Sequence, residues 1–414
     1  MATVTFQDLI ASGHLEIGDG YRAKNSELGG DGPIFLRAGH LTDARFDFEN
    51  VERFRSSLAL SLEGKMAKAG DTVVTTKGNS TGRVGYVEPD FPQFVYSPHL
   101  SYWRSKRPAA LLPGFIRYWS RGREFRDQLQ AMKTSTDMAP YLSLTDQRRL
   151  RITLPDPKTQ KAIGSALTTL DDKIELNRRM NHTLEEMASV LFERLMIGVD
   201  DDPALDVSVQ SLIDRQLLVV GDGYRAKNEE LASEGLPFAR AGNIDAGFRF
   251  DDTELLGWPA VTSAGTKVSV PFDVVFTSKG TVGRFAFVSP TTPKFAYSPQ
   301  LCFWRSVDHD VLSPFFLYHW MRSSRFLEQV DAVKGQTDMA DYVSLTDQRL
   351  MKIACPKCDD HRRLRDDVAM LWELHFANTD ESKTLTALRD ALLPKVLSGE
   401  ITLKAAEKTV AEVV

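Results

Sequence analysis

At 414 residues and 46.4 kDa, with 42% hydrophobic and 26% charged residues, the chain has the composition of a soluble globular protein with room for two or three domains. No run of eighteen apolar residues occurs, the start MATVTFQDLIASGHLE has neither a basic leader nor an apolar stretch, and three cysteines are too few for a disulfide framework, so a cytoplasmic protein is expected. The formal net charge of -5 gives no sign of a nucleic-acid partner by itself, and local distribution has to carry that question.

Residues 1–154 hold short apolar or aromatic runs such as DTVVTT, GRVGYV and QFVYS, broken by Gly, Pro and Asp, which predict a mostly short-stranded domain with a few helices. Near its start stands GDGYRAKN (18–25), which reads either as a turn that needs glycine or as a loop presenting Arg22, Lys24 and Asn25. After LPDP the texture changes. Apolar residues recur at alternating intervals of four and three through Ile163, Leu167, Leu170, Ile174, Leu184, Ala188, Leu191 and Leu195, with Asn177 and Asn181 in the middle places. This heptad seam predicts one long helix over 155–198, roughly 45–60 Å at 1.5 Å per residue.

The pattern then starts again. GDGYRAKN returns at 221–228, TTKGNSTGRVGYV at 75 is answered by TSKGTVGRFAFV at 277, and YSPHLSYWR at 96 by YSPQLCFWR at 297. TDMAPYLSLTDQR at 136 and TDMADYVSLTDQR at 337 agree at eleven of thirteen positions. The period of about 200 residues is far too long for a solenoid, so each copy should hold a complete domain, the second over 199–355. A second long helix is expected over 356–400, with its seam through Leu364, Val368, Leu371, His375, Asn378, Ser382, Leu385, Leu392 and Val396, followed by a polar tail over 401–414. The predicted class is α+β: two duplicated α/β domains separated by two long helices that pair as an antiparallel coiled coil about a pseudo-twofold axis. The alternative for the helices is that each packs on its own domain.

Catalytic signatures are absent. There is no Walker-type loop, no G-x-S-x-G elbow, no H-E-x-x-H and no Asp/Asn-Pro-Pro-aromatic tetrad, and none of the eight histidines recurs in register. Cys355 and Cys358 in CPKCDDH have zinc spacing without a second ligand pair, so no metal is expected. What recurs is basic and polar: Arg22, Lys24, Asn25, Arg37, Lys77, Arg83 and Arg104 match Arg225, Lys227, Asn228, Arg240, Lys279, Arg284 and Arg305. Cations beside glycine-rich turns suit phosphate contacts, and some could read guanine edges; solvated charges or ion-pair partners are the alternative. Residues 1–154 carry 21 Lys+Arg against 17 Asp+Glu and residues 199–355 carry 15 against 21, so the second domain would need its basic face on an acidic body. The aromatic strings at 96 and 297 read as strand core ahead of stacking surface.

Taken together, LPDPKTQKAIGSALTTLDDKIELNRRMNHTLEEMASVLFERL behind the first domain resembles the specificity subunit of type I restriction-modification enzymes, through Gln160, the Leu167–Asn177 core and the Leu184–Ala188 continuation. The second helix departs from that pattern, with Leu-Trp-Glu-Leu-His-Phe-Ala-Asn at 371–378. The resemblance implies a non-catalytic chain whose two globular parts are target recognition domains reading a bipartite double-stranded DNA site. Its helices would set the spacing and dock two DNA methyltransferase subunits that bring S-adenosylmethionine and flip the target adenine, and restriction/translocase subunits could join them. Because the two domains match closely, the half-sites are expected to be similar and inverted. A specificity subunit of a fused type II-like restriction enzyme, or a coiled-coil adaptor that binds no DNA, are the competing readings.

Overall fold

A computed structural model describes residues 2–413 except 43–44, 79, 135–139, 198, 200–201, 245–246, 251–252 and 335–340. Its backbone divides into two units, Met1–Glu175 with Ser382–Val414, and Leu176–Glu381.

In the first unit, runs rich in β-branched and aromatic residues form the strands β1 (Leu15–Asp19), β2 (Thr72–Thr75), β3 (Val84–Tyr86) and β4 (Leu100–Ser105). They make an antiparallel sheet in the order β1-β4-β2-β3. Asp19 pairs with Ser101 and Thr75 with Leu100, so the ends of β1 and β2 meet the start of β4 at one end of the sheet. Ala2–Thr5 pairs with Arg151–Leu154 and ties the start of the domain to its finish. One face is filled by Phe6, Trp103, Trp119 and Phe125, packed with centroid separations of 5.1 Å for Phe6–Trp103 and 5.3 Å for Trp103–Phe125, the edge-on geometry aromatic quadrupoles prefer.

The second unit repeats this plan with β5 (Leu218–Asp222), β6 (Val274–Thr277), β7 (Phe285–Phe287) and β8 (Leu301–Ser306), in the order β5-β8-β6-β7. The long repeated string has a structural cause in its second part. Trp103 Nε1 donates to Gln147 Oε1 at 2.9 Å, and Trp304 Nε1 donates to Gln348 Oε1 at 3.0 Å, with both glutamines fully buried. Ser143 and Asp146, like Ser344 and Asp347, cap the short helix that carries that glutamine. The Thr-Asp-Met-Ala part of each string lies outside the described residues, apart from Asp341 and Tyr342 and their counterparts Pro140 and Tyr141.

Two long helices follow their domains, α1 (Pro157–Met196, 40 residues) and α2 (Cys358–Ser398, 41 residues). Proline at the first position of α1 loses no hydrogen bond there. Each helix crosses from one unit to the other, so each unit contains the first part of one helix and the last part of the other. The seam is buried: Leu167, Leu170 and Val368 at 0%, Leu385 at 1%, with Ile174, Leu191 and Leu371 packed against the cores and Leu184 and Leu392 nearly covered.

The pairing is antiparallel. In the second unit the Asn177 amide reaches Glu381 at 2.6 Å and the Asn378 carbonyl at 3.4 Å, Asn181 reaches Thr379 at 3.0 Å, and Glu185 meets His375 at 3.1 Å, so one helix climbs as the other descends. Asn177 and Asn378 are 1% and 6% exposed, placing polar residues in the seam as the heptad pattern predicts. The helices pack on their own domains as well. Ile163, Leu167 and Leu170 join Leu385, Leu392 and Val396 in the core of Trp103, and Phe192, Met196, Val368 and Trp372 join that of Trp304.

The polar tail over 401–414 is corrected. Leu403–Ala411 is a helix, α3, capped by Thr402, and it buries Ala406 and Val410 in the first core beside Ile401. The i, i+4 apolar pair amid lysines and glutamates is a one-sided stripe, short enough to read as polar.

Candidate nucleic-acid interface

The end of each sheet where β1 and β2, or β5 and β6, finish collects four loops. In the first domain Gly20 N–H donates to Leu100 O at 3.0 Å, Tyr21 N–H to Tyr96 O at 2.7 Å, Thr76 N–H to His99 O at 2.9 Å and Leu142 N–H to Thr76 O at 2.9 Å. In the second, Gly223 donates to Leu301 O, Tyr224 to Tyr297 O, Ser278 to Gln300 O and Val343 to Ser278 O at 2.7 to 3.1 Å.

GDGYRAKN divides its residues between two tasks here. A Cβ at Gly20 would lie 1.9 Å from Ser97 O, and one at Gly223 would lie 2.0 Å from Ser298 O, so only glycine fits. Tyr21 and Tyr224 point inward and donate to Glu27 and Glu230 at 2.9 Å in both copies. The same glutamates accept the Lys24 and Lys227 backbone N–H groups at 2.7 Å. Arg22, Lys24 and Asn25, with Arg225, Lys227 and Asn228, project into solvent.

Arg83 and Arg284 are also exposed at this end. Lys77 Nζ lies 5.0 Å from the ring centroid of Tyr141, and Lys279 Nζ lies 4.5 Å from that of Tyr342. These half-buried lysines rest on exposed aromatic faces. Burial pushes the Tyr342 phenol up while Arg225 opposes the shift, which puts Arg225 in the field of the ring that Lys279 covers. Neither tyrosine stood among the candidates, although both lie in the longest repeated string.

The remaining candidates are engaged elsewhere. Arg104 and Arg305 are corrected: they lie toward the opposite end of the sheet, where Nε and Nη2 fork onto Asp71 at 2.7 Å each and onto Asp273 at 2.6 and 2.7 Å. Nη2 of each also donates to a main-chain carbonyl, of Met66 or Val268, and both aspartates are fully buried, so these arginines hold the fold. Arg37 and Arg240 pair with Glu52 and Glu254 at the surface and are about half exposed. The aromatic strings are strand core: Tyr96, Tyr297, Trp103 and Trp304 are at most 1% exposed. Among the described residues no group of three or more His, Cys, Asp or Glu is placed to hold a metal, and the Cys358 side chain lies outside them.

Residues 23–186 match the family described as the type I restriction modification DNA specificity domain. The match covers most of the first domain and part of α1. The second domain repeats the strand order of the first domain's sheet. The chain is 25% identical over 280 residues to the type I restriction enzyme MjaIX specificity subunit of Methanocaldococcus jannaschii, covering 63% of each chain. It is 27% identical over 207 residues to the HindI specificity subunit of Haemophilus influenzae, covering 48% of this chain and 41% of that one. The matches thus span less than two thirds of these relatives. The crystal structure of a type I restriction-modification S subunit from M. genitalium covers 95% of both chains with a TM-score of 0.52 at 16% identity, and so shares the fold. No helix among the described residues is long and apolar enough to cross a membrane.

Proposed function

We propose that this specificity chain is the non-catalytic, cytoplasmic DNA-reading subunit of a type I restriction-modification complex, each domain reading one half of a bipartite duplex site. The observation that carries the reading is the recurrence, at the same end of the same sheet in both copies, of exposed Arg22, Lys24, Asn25 and Arg83 as Arg225, Lys227, Asn228 and Arg284. Arg104 and Arg305, which hold the fold, fork onto fully buried aspartates, whereas these groups stand exposed, Lys227 with an equally exposed Glu229 3.7 Å away. Guanidinium and ammonium groups on turns supply phosphate neutralisation, and a guanidinium can fork onto a guanine edge.

The helices would act as the spacer between half-sites and as the docking surface for two adenine methyltransferase subunits. Leu176, Met187 and Val190 on α1 and Met370 and Leu374 on α2 stay exposed in the second unit and give these helices apolar side chains to offer a partner. S-adenosylmethionine and the flipped adenine would be held by those partners, and restriction/translocase subunits would complete the complex. The matching domains favour similar, inverted half-sites.

Methylated-base sequencing of host DNA with and without the gene tests the reading: a bipartite adenine-methylated motif should vanish with the chain. Co-purification of a methyltransferase separates it from an adaptor that binds no DNA, and a methyltransferase fused to its nuclease among the captured chains would assign the chain to a type II-like enzyme.

A further inference from the structure

Among the described residues the two reading ends share most of their side chains, and the differences between them can be taken in turn. Gly78 and Gly280 share φ of +78°, and Gly82 and Gly283 have φ of +93° and +98°, so the extra residue of the first loop falls between two turn positions that both copies share. There the Thr81 hydroxyl is buried, donating to Gly78 O at 2.7 Å and Pro140 O at 3.0 Å, which makes part of the insertion structural. Of the other exposed differences, Glu229 pairs with Lys227 at 3.7 Å, and Asp341 helps raise the pKa of Lys334 behind Asp331.

Another difference sets side chains of unlike donor and acceptor sets at one place. His99 and Gln300 occupy the same place in YSPHL and YSPQL, at the turn that leads into β4 or β8, and both are exposed. Their carbonyls make the same hydrogen bond, to Thr76 N–H and Ser278 N–H at 2.9 Å, so the backbone presents both side chains alike, beside Lys77 and Lys279. Gln300 Oε1 accepts the Ala241 N–H at 3.2 Å, which orients the amide and leaves Nε2 and one lone pair of Oε1 for a ligand. Among the described residues the His99 ring has no hydrogen-bond partner.

We propose that this position carries the difference between the two half-sites, Gln300 selecting adenine and His99 selecting guanine at the equivalent base of each half. An amide presents a donor and an acceptor side by side and matches adenine N7 and N6, the bidentate pairing of glutamine in the major groove. An imidazole N–H offers a donor and no adjacent acceptor for the N6 group, and matches the paired N7 and O6 acceptors of guanine. The inference rests on the DNA-reading function proposed above and sharpens it: the halves form an inverted repeat broken at this base.

The test is methylated-base sequencing in the host, with the full chain and its methyltransferase, for wild type, His99→Gln and Gln300→His. The expected wild-type motif has halves that differ at one position, adenine in one and guanine in the other. His99→Gln should convert the first half to adenine, Gln300→His should convert the second to guanine, and each should discriminate against the former base by roughly ten- to a hundredfold. Should a swap abolish methylation, His99→Ala and Gln300→Ala, checked for fold by thermal melting, should relax that position alone. A chain-dependent bipartite motif with identical halves, or one that none of these variants alters, overturns this inference and leaves the DNA-reading function standing. No chain-dependent motif at all overturns both.

Discussion

Arg104 forks onto Asp71 through two hydrogen bonds of 2.7 Å, and Asp71 has no exposed surface. The same fork joins Arg305 to Asp273 in the other copy, so two cations repeated in register lock the sheet of each domain. Arg104→Ala leaves Asp71 buried and unpaired and should cost about 3–5 kcal/mol in chemical denaturation. Arg22→Ala with Lys24→Ala should change stability by less than about 0.5 kcal/mol each. The same pair should weaken DNA binding by the assembled complex and reduce the slope of log K against log salt by about 2. Loss of folding in the Arg22/Lys24 variant would assign those side chains to the turn.

Gly20→Ala should prevent the first domain from folding. Its Cβ would meet main-chain atoms of Ser97 and Tyr96, which no rotamer change can move aside. Gly39→Ala, with open space around the added methyl, serves as the control. Near-equal melting temperatures for the two variants would contradict the close approach.

Asp171 is held by Arg117, Arg121 and Arg389 at 2.8 to 2.9 Å. Burial would raise its carboxyl, but the three guanidiniums outweigh that and bring it down to about 2 from 3.8. A folded pKa below the unfolded one gives stability that is present above about pH 4 and lost as pH falls toward 2. The difference corresponds to about 2 kcal/mol. Asp171→Asn should remove this acid dependence and, by taking the anion from buried Arg121 and leaving Arg117 and Arg389 only Glu88 and Asp390, lower stability at pH 7 by about 3 kcal/mol. Equilibrium unfolding across pH 2–7 measures both.

His319, stacked on Phe192 and buried beside Ser189, has its pKa lowered from 6.5 to about 4, chiefly by burial and then by Arg322. The unfolded chain takes up this proton near pH 6.5 and the folded chain does so only near 4, so stability should fall as pH drops through that window. About 3 kcal/mol is at stake. Hydrogen exchange at pH 7 and 5 should show the core around Trp304 losing protection, and His319→Gln should flatten the response there.

The repeat, the long helices and their seam were legible in the sequence because each rests on a period: a recurring string, or an apolar residue every three or four positions. Burial of Leu167, Asn177 and Val368 followed from that period alone. Partnership was not legible in this way. Arg104 and Arg22 are both repeated cations, and what separates them is an aspartate 33 residues away for one and, among the described residues, none for the other. The α3 helix was hidden for a related reason, since Ala406 and Val410 become core only against residues that lie far back in the chain. His99 and Gln300 stood inside a string read for its aromatic residues, and their place at the reading end emerged only when the sheet brought the loops together.

The crossing of α1 and α2 between units also bears on how the chain is made. The first unit takes Leu385, Leu392, Val396, Ala406 and Val410 into its core, and a ribosome makes these only after the whole of the second unit. The first domain therefore waits, incompletely covered, until those residues are made, while the second unit has all its parts by Glu381. A chain stopped at residue 381 should protect the second core from protease and leave the first one open, the reverse of the usual order in which a nascent protein folds.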